Sequence, residues 1–326
     1  MFRLIALVLL MNMILCSPRV IACNVPVFRY ALERWQSDDY QLVIIHQKDL
    51  TKDQKTIAES IKASTRELGG SLNLRVLQYD LRNETNTPFH GIWKNHATDD
   101  QSPLAALLYS QNAREVPDRI VSVTPLADLD ISALIDSPAR KALSRKILSG
   151  DSAVWIFVTS GDPKQDQEAY QRLEEQIEWN KLNLKLPQQD VLEADEFFNR
   201  DNPIELKLDF SIVRVDRNDP KESHLIAMLM GSESDLEELD QPMAFPVIGR
   251  GRVLYALVGK GIYKETIEMA SKFVVGPCSC QVKDQNPGFD LLLDANWDSS
   301  IDGKPLSRPT PSKTKKPILI EIPTGK

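Results

Sequence analysis

Apolar residues along this chain fall into short runs whose spacing changes from segment to segment, and that spacing predicts the elements. Leu4 to Leu15 is apolar throughout except for Asn12. Val27, Phe28, Ala31, Leu32 and Trp35 share one side at helical spacing, which predicts a helix from Pro26 to Trp35. Gln41 to His46 is a run rich in β-branched residues and reads as a buried strand. Thr51 and Gln54 then form a capping box, opening a helix that stops at Gly69-Gly70. Asn73 to Tyr79 is the next strand, and 81–102 reads as a polar loop. Pro103 opens a strand through Tyr109, followed by a strand from Arg119 to Thr124. A helix from Ile131 to Leu148 carries a jog at Pro138.

After Gly150 the pattern begins again. Ala153 to Thr159 is an apolar strand, and Asp162-Pro163 starts a helix that continues to Leu182. Phe210 to Val215 is a strand. Pro242 precedes a strand from Met243 to Ile248, Gly249-Arg250-Gly251 turns the chain, and Val253 to Val258 returns. Lys264 to Val274 closes with a helix. Short matches accompany the repeated order: Asp49, Asp53 and Gln54 are spaced like Asp162, Asp166 and Gln167, and Pro103-Leu104-Ala105 echoes Pro242-Met243-Ala244. The order β-α-β, then Pro-β-β-α, is therefore expected twice.

Strand, helix, strand, proline, hairpin and closing helix resembles the thioredoxin fold. The resemblance implies an α/β chain of two tandem thioredoxin-like domains. The expected divisions are a signal segment over 1–22, domains over 23–150 and 151–298, and a disordered Pro/Ser/Lys-rich tail over 299–326. The family's redox pair sits between the first strand and its helix. Here those positions read His46 to Thr51 and Thr159 to Pro163, without cysteine. The resemblance thus implies fold and little chemistry. Two further stretches, Ala22 to Trp35 and Gly276 to Lys283, resemble an uncharacterised family of exported bacterial proteins, which implies no particular activity.

Export is expected from the first residues themselves. Arg3 precedes an apolar run of about a dozen residues, well short of the roughly 20 that span a bilayer but suited to a signal peptide. Val20-Ile21-Ala22-Cys23 then admits three readings: a lipobox with acylation at Cys23, ordinary signal cleavage after Ala22, or an uncleaved anchor. Lipidation of Cys23, with each buried CH₂ contributing about 0.8 kcal/mol, implies a periplasmic protein held on the membrane. The net charge of −7 becomes −9 once Arg3 and Arg19 leave with the signal. An acidic, mixed surface excludes nucleic acid as an expected partner, because phosphate binding needs a concentrated basic face.

Candidate chemistry is sparse. The mature chain holds Cys23, Cys278 and Cys280. Cys278-Ser279-Cys280 reads as an inert or structural pair, a strained redox disulfide, or a two-thiolate ligand for a soft metal; Cys23, if not acylated, is a further bridging partner. His46, His90, His96 and His224 are scattered, with no zinc-type spacing. The aspartate pairs Asp49/Asp53 and Asp162/Asp166 read as helix-start charges, and Gly249 to Arg252 as a hairpin turn instead of a phosphate cradle. Arg140, Lys141, Arg145 and Lys146 read as a solvated basic face, and Glu233 to Asp240 as an acidic surface segment. No catalytic constellation and no cofactor is expected. The resulting expectation is a binding or scaffold protein of a membrane-associated assembly, with a membrane-complex protein as its partner. The alternative is a thiol redox protein or soft-metal carrier acting through Cys278 and Cys280.

Overall fold

The computed structural model describes residues 25–83, 87–99, 102–187, 207–278 and 282–301. The first half contains α1 (Val27–Arg34), β1 (Tyr40–His46), α2 (Lys52–Glu67), β2 (Leu74–Asp80), α3 (Phe89–His96), β3 (Leu104–Leu108), β4 (Ile120–Pro125), α4 (Ile131–Ile135) and α5 (Pro138–Leu148). The second contains β5 (Ala153–Val158), α6 (Pro163–Asn183), β6 (Phe210–Val215), α7 (Ser223–Met230), β7 (Met243–Ile248), β8 (Arg252–Val253), β9 (Leu257–Val258), α8 (Lys264–Val275), β10 (Phe289–Asp290) and α9 (Trp297–Ile301). The chain is thus a mixed α/β protein with two sheets.

The sheets share one plan. In the first the order is β2-β1-β3-β4, with β2 parallel to β1 and the other neighbours antiparallel. In the second the order is β10-β8-β7-β5-β6, with β6 parallel to β5, β7 antiparallel to β5, and β9 paired to β7. The central strands are covered on both faces, which is why they read as unbroken apolar runs. Val43, Ile45, Leu104, Ala106 and Leu108 face α3, burying Phe89, Ile92 and Trp93. The alternate residues Leu42, Ile44, Ala105 and Leu107 share a middle core with Val154, Ile156, Phe245 and Val247 of the second sheet. Trp155, Phe157 and Phe210 point the other way, onto α1, α6 and α8. Burial of each such side chain contributes about 1.5–3 kcal/mol.

Each end of the described chain packs on the opposite half. Val25, Val27, Phe28 and Ala31 belong to the core of the second sheet. Leu291 to Leu293 return to the first, where Asn73 Nδ2 donates to Leu291 O at 3.0 Å and Leu293 N donates to Asn73 Oδ1 at 2.8 Å. A bridge between Leu72 and Asp294 extends this contact.

Several sequence expectations change. The loop expected over 81–102 contains α3, whose Phe89, Ile92 and Trp93 fall at i, i+3, i+4 spacing and cover the sheet. The helix expected from Ile131 to Leu148 is two helices, separated at Asp136-Ser137 because Pro138 lacks an N–H and disfavours helical geometry before it. Helix α7 has no counterpart in the sequence reading. The strand expected from Val253 to Val258 is split into β8 and β9, with the register against β7 slipping by one residue between them. Ser299 to Ile301, placed by the sequence reading in the tail, continue α9, and Ile301 is buried. The rest of that tail and the signal segment lie outside the described residues.

Candidate functional site

The ribbon that carries Cys278 is built where α8 ends. Gly276 closes the helix, and the next residues run antiparallel to the start of the described chain, with Pro26 opposite Pro277. Val27 N donates to Gly276 O at 3.0 Å, and Cys278 N donates to Val25 O at 2.9 Å. The Cys278 side chain is 3% exposed and belongs to the same core as Val25, Phe28 and Val274. In that setting the Cys278 side chain lies among apolar neighbours and is shielded from solvent. Cys23 and Cys280, the remaining residues of the expected lipidation and thiol sites, lie outside the described residues. Among the described residues no three His, Cys, Asp or Glu side chains gather where they would hold a metal ion.

The two strand-to-helix connections are filled by hydrogen-bonded latches. After β1, His46 Nδ1 meets Lys48 O at 2.9 Å and Nε2 meets Gln78 Nε2 at 3.1 Å. Arg82 bridges Asp49 at 2.5 Å and Asp80 at 2.6 Å, and its hydrogen bonds hold the Asp80 carboxyl down to about 2. After β5, Asp166 is buried and accepts from Ser160 N and Ser160 Oγ, each at 2.7 Å, and from Gly161 N at 3.2 Å. Asp162 caps α6 by accepting from Lys164 N and Gln165 N. Of the four aspartates, Asp162 is thus a cap and Asp53 lies in the first turn of α2, while Asp49 and Asp166 tie loops. Both connections are without cysteine, and the Ser160 hydroxyl is engaged by the Asp166 carboxylate.

Two buried cationic clusters escaped the sequence reading. Gly249 and Gly251 do make the expected turn, at φ 57° and 93°. Arg250 and Arg252 beside them are buried, however, and serve as cross-links between distant segments. Arg250 Nε donates to Leu32 O at 2.8 Å and Nη1 pairs with Asp298 at 2.7 Å. Arg252 Nη1 pairs with Asp290 at 3.3 Å, and Asp290 also takes the Lys283 ammonium and the Asp38 N–H. The expected solvated basic face is corrected too. Lys141 and Arg145 are exposed, but Arg140 is 1% exposed. Its guanidinium donates to Ala133 O at 2.5 Å, Leu134 O at 3.0 Å and Leu292 O at 3.2 Å. The carbonyls left over where α4 ends attract this cation into the core. Nothing local in the sequence separates Arg140 from its neighbours, because Leu292 is remote in the chain.

An open groove of about 700 Å³ lies at the start of α5, lined in part by Asp130, Ser132, Ser137, Lys141 and Lys221. Its lining is of mixed charge, with Asp130 and Asp136 beside Lys141, Arg145 and Lys221. Nearby, desolvation and the Arg140 charge pull the His224 imidazole down to about 4. No helix among the described residues is long and apolar enough to cross a membrane.

No family model matches the chain, and no curated protein matches it. The expected membership of an exported bacterial family therefore gains no support from these comparisons. Among solved structures, the chain is similar to the first two thioredoxin domains of Eps1p from Naumovozyma dairenensis. That match has 13% identity and a TM-score of 0.21, and covers 79% of this chain and 98% of the other, a likeness too slight to carry an argument.

Proposed function

We propose that the protein is an exported, lipid-anchored binding or scaffold protein of a membrane-associated assembly, composed of two thioredoxin-like halves that have lost the family's redox chemistry. The observation that carries this reading is the state of the two strand-to-helix connections. Both are thiol-free and latched by Arg82 and Asp166, at the positions where a thioredoxin would hold its cysteines. The thioredoxin-like assignment draws its support from the shared strand order and the β-α-β, β-β-α succession in each half. Export and the anchor rest on the apolar run before Cys23. The alternative reading is a thiol redox or soft-metal role through Cys278 and Cys280, of which Cys278 is buried.

The test is cross-linking in intact cells, followed by isolation of the full chain from the membrane fraction and measurement of its intact mass. The reading expects a lipid-sized mass increase at Cys23 and a stoichiometric protein partner. An unlipidated chain, or no stable partner after cross-linking, overturns the corresponding half of the proposal.

A further inference from the structure

We infer that the groove at the start of α5 is a binding site for a small organic oxyanion, a carboxylate or phosphate carried on a short apolar body. The inference goes beyond the scaffold reading and does not depend on Cys23. At about 700 Å³ the groove has the size of a small-molecule site. Ala133, Pro138 and Pro220 give it apolar walls. Its cations come from two directions: Lys141 and Arg145 stand one turn apart on α5, and Lys221 enters from the short turn before α7.

Which charges are already committed decides the ligand. The carboxylates are. Asp130 Oδ1 accepts from Ser132 N at 2.9 Å and Ala133 N at 3.1 Å, capping α4. Asp136 accepts from Ser137 N at 2.7 Å and pairs with Lys141 at 2.9 Å. Buried Glu222 accepts from Ala139 N at 2.7 Å, so the N–H groups at the start of α5 are occupied and are not the attraction. The cations are less committed. Among the described residues neither Lys221 nor Arg145 has a carboxylate within ion-pair distance. Arg145 gives only its Nε, to Lys141 O at 3.3 Å, which leaves its outer fork for a two-oxygen head group.

Ser137 supplies a donor between them. It is 5% exposed and lines the groove. Its Oγ accepts from Arg140 N at 3.3 Å and Arg140 Nε at 3.1 Å, which takes both lone pairs. Its own O–H meets no acceptor among the described residues and is left to donate to a ligand. The Arg140 guanidinium behind it donates otherwise to backbone carbonyls, so its charge polarises that hydroxyl toward an anion.

The experiment titrates the nitrogen-15-labelled full chain with benzoate, with phenyl phosphate and, for the opposite charge on a similar body, with benzylamine, following backbone amide shifts. The site expects saturable shifts at Ser132, Ala133, Ser137 and Lys141 with at least one of the two anions. Benzoate alone marks the ligand as a carboxylate, phenyl phosphate alone as a phosphate. Arg145→Gln/Lys221→Gln alters two exposed side chains and is expected to weaken binding about tenfold with an unchanged thermal midpoint. Lys146→Gln, outside the groove, should leave binding within about twofold of the parent. Ser137→Gly keeps a residue suited to the N-cap and removes the hydroxyl, and is expected to weaken binding about threefold. Absence of saturation by either anion at millimolar concentrations overturns the proposal. So does benzylamine binding as tightly as the anions, or an Arg145→Gln/Lys221→Gln chain that binds them as the parent does.

Discussion

Substitution of Arg140 by methionine tests whether one of four neighbouring cations holds the two halves together. Its guanidinium serves the carbonyls of Ala133, Leu134 and Leu292, and its Nε donates to Ser137 Oγ at 3.1 Å. Methionine fills much of the same volume but donates nothing, leaving the buried carbonyls of Leu134 and Leu292 and the part-buried one of Ala133 without this partner. Each such loss costs about 1–3 kcal/mol. Relief from burying a charge offsets part of that sum, since desolvation already pushes the Arg140 guanidinium down to about 10. The expected net loss is about 3 kcal/mol. Arg140→Lys, which keeps the charge but not the fork, is expected to lose about 2 kcal/mol. Lys141→Met and Arg145→Met alter exposed side chains and are expected within about 0.5 kcal/mol of the parent. Urea denaturation followed by tryptophan fluorescence reads the difference; with a slope near 3 kcal/mol/M, Arg140→Met shifts the midpoint down by about 1 M. A midpoint for Arg140→Met equal to that of Lys141→Met refutes the assignment and returns the residue to the solvated face expected from the sequence.

Other outcomes follow from the same structure. Because burial depresses the His224 pKa in the fold from about 6.5 to about 4, the unfolded chain takes up the proton first as pH falls through that window, and the fold loses stability; the stability of the parent minus that of His224→Gln should therefore fall from pH 6.5 toward 4, and a constant difference counts against it. Gly249 holds φ 57°, and a Cβ there would stand 2.7 Å from Ala31 Cβ, so Gly249→Ala is expected to cost about 2 kcal/mol or more by pushing α1 off the turn, measured by thermal unfolding. Native Cys278 should resist iodoacetamide and react once the chain is denatured; peptide mass mapping that finds rapid native alkylation would restore the thiol-based alternative.

Local chemistry made much of the architecture legible. The runs at Leu42 to Ile45 and Val154 to Val158 announce strands covered on both faces, and the Thr51/Gln54 box and the Asp162-Pro163 pair announce helix starts, because each depends on residues within a few positions. Even the missed α3 had a local signal in Phe89, Ile92 and Trp93, masked by the polar residues around it. What the tertiary structure alone decided are the distances between segments far apart in sequence. It brings Asp290 to Arg252, Lys283 and Asp38, carries Arg140 to Leu292, and seals Cys278 against Val25. An arginine has the same local sequence signature whether its partner is solvent or a remote carbonyl. The free energy that chooses between them comes from desolvation and hydrogen bonding in a core assembled from both ends of the chain.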